Sequence, residues 1–124
     1  MRIAPVVAAL CVSVSAAAEP PVPLPDGKYQ FQWKDAEFGD SPGFPVQVEI
    51  SGRSIRVLNE SKRHGVPLGE IENAVLMWHE TLGKWILATS PSDSTATSVG
   101  GCGDDEPHEI NFKSREIWTC QWGP

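Results

Sequence analysis

The segment LMWHETLGKWIL, residues 76–87, places a histidine and a glutamate between two tryptophans. A zinc protease of the His-Glu-x-x-His class needs a second histidine one helical turn after the first, so that two imidazoles share the metal. Gly83 occupies that position here, and the surrounding pattern indicates a β-hairpin instead. We therefore expect His79 and Glu80 to end a strand, without metalloprotease chemistry.

The stretch GCGDDEPHE, residues 101–109, concentrates acidic residues beside a cysteine. Calcium takes six to eight oxygen ligands, and a glycine-containing acidic loop can offer several of them. This stretch lacks the Asp-x-Asp-x-Asp-Gly ladder that turns successive carboxylates inward. We expect a solubilising loop or a contact with a basic partner, and we expect no metal and no cofactor. The weak metal candidates are Asp104, Asp105, Glu106 and His108.

Residues 61–64, SKRH, form a local cationic tip on an acidic chain. Such a tip can recognise a carboxylate or phosphate, or insert into the acidic cleft of a partner. The alternative is a charged loop that only keeps the domain soluble. The candidate partner-binding residues in this tip are Lys62, Arg63 and His64.

Two late tryptophans are further candidates for partner binding. Trp118 and Trp122 share one face of the last predicted strand with Cys120, and Ile117 lies on the opposite face. If the Ile117 face joins the core, both tryptophans lie outside, where aromatic side chains often anchor a partner. The alternative is that they cover the disulfide and the long loop before it.

Nucleophilic catalysis lacks its local signatures in this chain. No Gly-x-Ser-x-Gly elbow is present, and the two cysteines that follow the predicted signal are expected to be tied in a disulfide. A paired-carboxylate hydrolase depends on distances in the fold, which the sequence does not give. We therefore expect a protein that is not an enzyme, with a weak hydrolase as the third hypothesis.

Residues 1–18 have the pattern of a secretory signal: a basic residue, a mostly apolar run, and small residues before Glu19. The run is too short for a membrane span, so we expect export to the periplasm or the medium. Cleavage removes Cys11, and the two remaining cysteines of an oxidising compartment most simply pair. The predicted disulfide joins Cys102 and Cys120.

The chain has a formal net charge of −6 at pH 7, and the predicted signal contains no acidic residue. A polyanion repels such a protein, so nucleic acid is not an expected partner. Proline-rich residues 19–27 form an extended lead-in, and residues 28–124 are expected to form a single domain.

Period-2 alternation predicts the strands. KYQFQW, residues 28–33, alternates strictly, and a two-residue turn in residues 46–59 places Ile50 opposite Ile55. Two registers are open for residues 70–88: a three-residue turn with a bulge at Gly83, or a four-residue loop. Residues 95–99 form at most a short strand, and a tight Ser114-Arg115 turn joins the last two strands.

Short strands joined by tight turns predict an all-β protein. We expect a small antiparallel meander of about six to eight strands, as a closed or partly open barrel, with a two-sheet sandwich as the alternative. In size and strand pattern the chain resembles exported lipocalin-like barrels and the disulfide-clipped periplasmic lysozyme inhibitors. No motif of either family is present, so no functional residue is carried over.

Two functional classes fit this fold. The first is an exported binding module whose loops 60–69 and 91–107 and surface tryptophans contact a macromolecular partner, such as a basic enzyme that it inhibits by occlusion. The second is a carrier of a small apolar ligand inside the barrel. The residues expected to line that interior are Tyr29, Phe31, Trp33, Met77 and Trp78.

Overall fold

A computed structural model of the protein describes residues 19–62 and 65–120. The predicted signal, Arg63, His64 and Trp122 lie outside the described residues. Two short 3-10 helices cover Ala36–Phe38 and Pro91–Thr95. The strands are β1 (Gly27–Asp35), β2 (Phe44–Ser51), β3 (Ser54–Asn59), β4 (Gly69–His79), β5 (Lys84–Ala88), β6 (His108–Asn111) and β7 (Glu116–Thr119).

The seven strands form a closed barrel in sequence order, which confirms the predicted fold class. Consecutive strands pair antiparallel, whereas the closing pair, β1 with β7, is parallel. An up-and-down meander with an odd number of strands must close this way, because its first and last strands run in the same direction. The register places Trp33 beside Ile117 and Asp35 beside Thr119.

Alternating side chains fill the barrel interior. Phe31 and Trp33 of β1 are each only 1 % exposed, which confirms the face predicted from the alternation. The predicted β2–β3 register is also confirmed, with Ile50 opposite Ile55. Full burial of a side chain of this size contributes about 1.5–3 kcal/mol, so this packed interior stabilises the fold.

The β4–β5 hairpin uses the four-residue loop. Trp78 lies opposite Trp85 and His79 opposite Lys84, so the three-residue turn with a bulge is wrong. The indole rings of Trp78 and Trp85 pack edge to face with centroids 5.5 Å apart, a favoured aromatic geometry. Gly83 ends the loop at φ 65°, and its amide donates to the His79 carbonyl at 2.8 Å.

The predicted Ser114-Arg115 turn is wrong. Asn111 pairs with Glu116, so a four-residue loop joins β6 and β7. The Asn111 side chain stabilises this loop, because its Oδ1 accepts hydrogen bonds from the amides of Lys113 and Ser114 at 2.9 Å each. Asparagine commonly ends strands in this way, because its side chain substitutes for a backbone acceptor.

The short strand considered for residues 95–99 is also wrong. A 3-10 helix occupies Pro91–Thr95, and the chain from Ala96 to Pro107 continues without strand pairing. The helix is fixed by a capping box: the Ser90 hydroxyl accepts the Ser92 amide, and the Asp93 carboxylate accepts the Ser90 amide. Pro91, at the first position of the helix, has no amide hydrogen, and an amide at that position would have no partner within the helix.

Residues 19–26, here called the N-terminal strap, cover one end of the barrel, the strap end. Glu19 Oε2 accepts the Trp78 amide at 2.9 Å and lies 3.3 Å from Nη1 of Arg53. Farther along, Asp26 Oδ1 accepts the Gly52 amide at 2.7 Å. The proline-rich segment is therefore tied to the barrel at both of its ends.

The opposite end, here called the mouth end, carries the connections 36–43, 60–68 and 89–107. Loops 60–69 and 91–107, predicted to share a binding surface, therefore lie at the same end of the barrel. Within residues 19–62 and 65–120, no helix has the length and apolar character needed to cross a membrane.

Candidate functional site

The longest connection, residues 89–107, is clipped to the end of β7 by a disulfide and is here called the clipped loop. Cys102 and Cys120 are bonded with a Cα–Cα distance of 5.1 Å, which confirms the predicted pairing. Cross-linking residues 18 positions apart removes conformational freedom from the unfolded chain. This typically stabilises the folded state by about 3 kcal/mol.

Two carboxylates order the clipped loop from within. Asp93 Oδ2 accepts the Thr89 and Ser90 amides at 2.9 and 3.2 Å. Glu106 accepts the Gly101 amide at 2.9 Å through Oε2 and the Gly103 amide at 2.6 Å through Oε1. Hydrogen bonds from amides to a carboxylate are stronger than those between neutral groups, so the loop has a defined shape.

His79 anchors the clipped loop to the outer face of the barrel. Its imidazole is 1 % exposed, with Nε2 2.7 Å from the Ala96 carbonyl oxygen and Nδ1 accepting the Leu82 amide at 3.2 Å. Because a carbonyl oxygen only accepts, this arrangement assigns the proton to Nε2. His79 is the last residue of β4, Glu80 opens the following loop, and the histidine has a structural role.

A cavity of about 950 Å³ lies between the clipped loop and the mouth of the barrel. Serine and threonine residues line much of its wall, and none of the described residues that line it is a lysine or arginine. We call this site the mouth cavity. Its titratable lining residues are Glu72, Asp93, Asp104, Asp105, Glu106 and His108.

The floor of the mouth cavity is formed by Glu72 and His108, which point inward from β4 and β6. Nδ1 of His108 lies 3.3 Å from Oε1 of Glu72, and the two side chains are only 16 % and 12 % exposed. The two atoms are close enough for an ion pair, but their geometry is not that of a hydrogen bond. Nδ1 has no hydrogen-bond partner among the described residues. The imidazole also packs edge to face on Trp33.

The carboxylates of the mouth cavity divide into two groups. Asp93 and Glu106 already accept backbone amides, whereas no hydrogen bond or ion pair within residues 19–62 and 65–120 engages the carboxylates of Asp104 and Asp105. A concave wall of one charge sign concentrates the field and attracts the opposite charge. The arrangement can therefore receive a cation.

The structure describes part of the predicted partner-binding set. Lys62 is exposed in the connection 60–68 at the mouth end. Trp118 lies half-buried on the outer face of β7, with Nζ of Lys34 5.3 Å from its ring and its Nε1 donating to Glu116 at 3.1 Å. Trp118 and Ile117 therefore lie on opposite faces, as expected from the alternation.

The five residues proposed to line an internal ligand cavity are distributed over different environments. Phe31 and Trp33 belong to the packed core, and Tyr29 and Trp78 are partly buried against it. Met77 alternates with Leu76, a core residue, and therefore points to the outer face of β4. Four of these five side chains therefore belong to the filled core or pack against it, whereas Met77 points outward.

The weak metal candidates of the acidic stretch do not converge. Among the described residues, potential ligand atoms gather elsewhere, at Asp35, Glu37, Cys102 and Cys120. Asp104, Asp105 and Glu106 contribute to the wall of the mouth cavity, and His108 contributes to its floor. The acidic stretch thus provides charge to a surface, which is the arrangement expected for contact with a basic partner.

Sequence reasoning missed Glu72 and Asp93 as parts of the site. Glu72 stands in an alternating strand, ENAVLMW, and pairs with Val57 of β3, so it faces inward in register with Ala74, which pairs with Ile55. The sequence could have indicated this, because the charged Glu72 alternates with Ala74 and Leu76 on the same face of the strand. Asp93 had a clearer signal, because Ser90 followed by proline and Asp93 has the spacing of a capping box.

No family model, curated protein or solved structure matches this chain.

Proposed function

We propose that this protein is an exported, non-enzymatic binding module that receives lysine or arginine side chains of a partner protein in the mouth cavity. The observation that carries this proposal is the lining of the cavity, with five carboxylates and no lysine or arginine among the described residues. A pocket that combines concave shape with converging polar groups is the usual form of a binding site.

Charge supports a basic partner. The chain is acidic overall, with a formal net charge of −6 at pH 7, so long-range attraction and the local charge of the mouth cavity act in the same direction. Such complementarity increases the association rate and selects against acidic partners. Asp104 and Asp105 are exposed, so they contribute to encounter, whereas Glu72 is desolvated and contributes more to the bound state.

Rigidity supports binding by a preformed surface. The clipped loop is fixed at three kinds of anchor: the disulfide, the His79 contact to Ala96, and the amides bound by Asp93 and Glu106. A wall that is ordered before binding loses less conformational entropy when a partner arrives. The mechanism that follows is occlusion: the mouth end covers a basic surface of the partner, and no bond is made or broken.

Export is part of the proposal. The secretory pattern of residues 1–18 and the Cys102–Cys120 disulfide both agree with an oxidising compartment. Basic enzymes of that compartment are then candidate targets, and inhibition by occlusion is the form of activity that the geometry favours.

The test uses a hexa-arginine peptide amide as the probe and isothermal titration at low salt. Asp104→Asn with Asp105→Asn should weaken binding about tenfold, because two partly exposed charge pairs contribute about 0.5–1 kcal/mol each. The matched control, Asp40→Asn with Glu80→Gln, removes the same charge at exposed positions that do not line the cavity. Equal losses in the two double variants would refute the proposal.

A further inference from the structure

A cluster of four potential metal ligands lies beside the disulfide. One carboxylate oxygen each of Asp35 and Glu37 and the sulfur atoms of Cys102 and Cys120 all lie within 4.8 Å of one another. Asp35 is only 6 % exposed, whereas Glu37 and Cys102 are exposed and Cys120 is half-buried. The cluster is therefore anchored on its inner side and reachable from solvent on the other.

The parallel closure of the barrel creates this cluster. β1 and β7 run in the same direction, so their last residues, Asp35 and Thr119, lie side by side, and Cys120 follows directly. Asp35 Oδ1 then accepts the Glu37 amide at 2.8 Å, which turns the chain into the first 3-10 helix and directs Glu37 toward the same corner. Cys102 arrives on the clipped loop.

We propose that reduction of the Cys102–Cys120 disulfide converts this corner into a site for one zinc ion, held by two thiolates and the carboxylates of Asp35 and Glu37. Zinc in structural sites takes four ligands in a tetrahedron, with sulfur at about 2.3 Å and oxygen at about 2.0–2.2 Å. The observed spacing needs only a modest contraction around the ion, together with separation of the two sulfur atoms.

A dithiol supplies the electrons and protons that reduction of the disulfide requires. The dithiol attacks one sulfur of the disulfide, leaves as its own cyclic disulfide, and delivers two electrons and two protons to the cysteines. Zinc then displaces the two thiol protons, which are released to solvent as the two zinc–sulfur bonds form. No further oxidant or cofactor takes part.

Electrostatics make the zinc ion the natural partner of the reduced state. A zinc ion would bring two positive charges to a corner that offers two carboxylates and two sulfur ligands. When bound there, it would tie the clipped loop to the end of β7 again. The metal would thus replace the covalent clip, and the mouth cavity would keep its wall in both states.

The experiment compares oxidised and phosphine-reduced full-length mature protein, with zinc titrated against a chromophoric chelator under anaerobic conditions. We expect one zinc ion per chain after reduction and no such binding before it. Asp35→Asn and Glu37→Gln should each weaken binding about tenfold or more, a loss typical even for groups that only support metal ligands. Asp40→Asn with Glu80→Gln is the matched control and should bind as the wild type does.

Two results with the variants would overturn the proposal. One is zinc binding by the reduced wild type no tighter than by the Cys102→Ser, Cys120→Ser double variant. The other is unchanged affinity in both carboxylate variants, which would assign binding to the thiols alone. Cobalt added to the reduced wild type gives a readout that needs no variant: a tetrahedral thiolate spectrum is expected, and an octahedral spectrum would also refute the site.

Discussion

Nδ1 of His108 lies 3.3 Å from Oε1 of Glu72 where the barrel interior opens into the mouth cavity. Two strands that are not neighbours in the sheet supply this pair, since Glu72 belongs to β4 and His108 to β6. The pair connects the packed core, through the contact of His108 with Trp33, to the acidic wall formed by the clipped loop.

Replacing Glu72 with glutamine should weaken hexa-arginine binding more than removing either exposed aspartate alone. A desolvated carboxylate contributes about 1.5–3 kcal/mol to a charged hydrogen bond, which corresponds to tenfold or more in affinity. Isothermal titration measures the effect, with Glu80→Gln as the control at the strap end. An affinity equal to that of the control would show that the floor of the cavity takes no part in binding.

Removing the disulfide should destabilise the protein. The Cys102→Ser, Cys120→Ser variant should lose about 3 kcal/mol in free energy of unfolding, because a loop closed over 18 positions is released in the unfolded chain. Urea unfolding under non-reducing conditions measures this loss. An unchanged midpoint with an unchanged slope would contradict the stabilising role of the clip.

Gly43 and Gly52 provide a matched pair for backbone strain, with φ of 74° and 61°. A Cβ at Gly43 would lie inside van der Waals contact of the Trp33 carbonyl oxygen, whereas a Cβ at Gly52 would meet nothing within 4 Å. Gly52→Ala should therefore cost about 1–2 kcal/mol, and Gly43→Ala should cost about 1–3 kcal/mol more. Thermal unfolding tests the order, and equal losses would contradict it.

Acid should remove one surface contribution to stability. The hydrogen bond from Arg56 Nε at 2.8 Å, followed by that from Asn73, lowers the pKa of Glu70 below its ordinary value of 4.5. Because the folded pKa is lowered, the stabilisation is fully present above pH 4.5 and is lost as the pH falls through the lowered value.

A double-mutant cycle of Glu70→Gln and Arg56→Gln isolates this contribution. The coupling free energy from urea unfolding should be favourable at neutral pH and should vanish in strong acid. A coupling that grows as the pH falls would have the wrong sign for a lowered carboxyl pKa and would contradict the assignment.

The sequence predicted those parts of the fold that depend on local pattern. Alternation in β1 and the β2–β3 hairpin identified the inner face, since only one register places Ile50 opposite Ile55 on the core side. The disulfide followed from the redox environment and the count of cysteines. Turn lengths were harder, because the hydrogen bonds to the Asn111 side chain and the edge-to-face contact of Trp78 with Trp85 are seen only in the fold.

The sites depend on contacts between distant segments, which no local pattern records. Glu72 joins His108 across the mouth of the barrel, and Asp35 joins Cys120 through the parallel closing pair. The acidic stretch 101–109 was recognised as a candidate contact for a basic partner, but its position at the barrel mouth follows only from the disulfide, which ties Cys102 to the end of β7. Topology, more than spacing, determines both sites.

Binding of basic side chains in the mouth cavity is tested most directly by mapping the hexa-arginine contact through amide chemical shifts of ¹⁵N-labelled protein. We expect the largest shifts in residues 89–107 and at Glu72 and His108. Shifts spread over exposed acids such as Asp40 and Glu80, with none in the wall or floor of the mouth cavity, would contradict it.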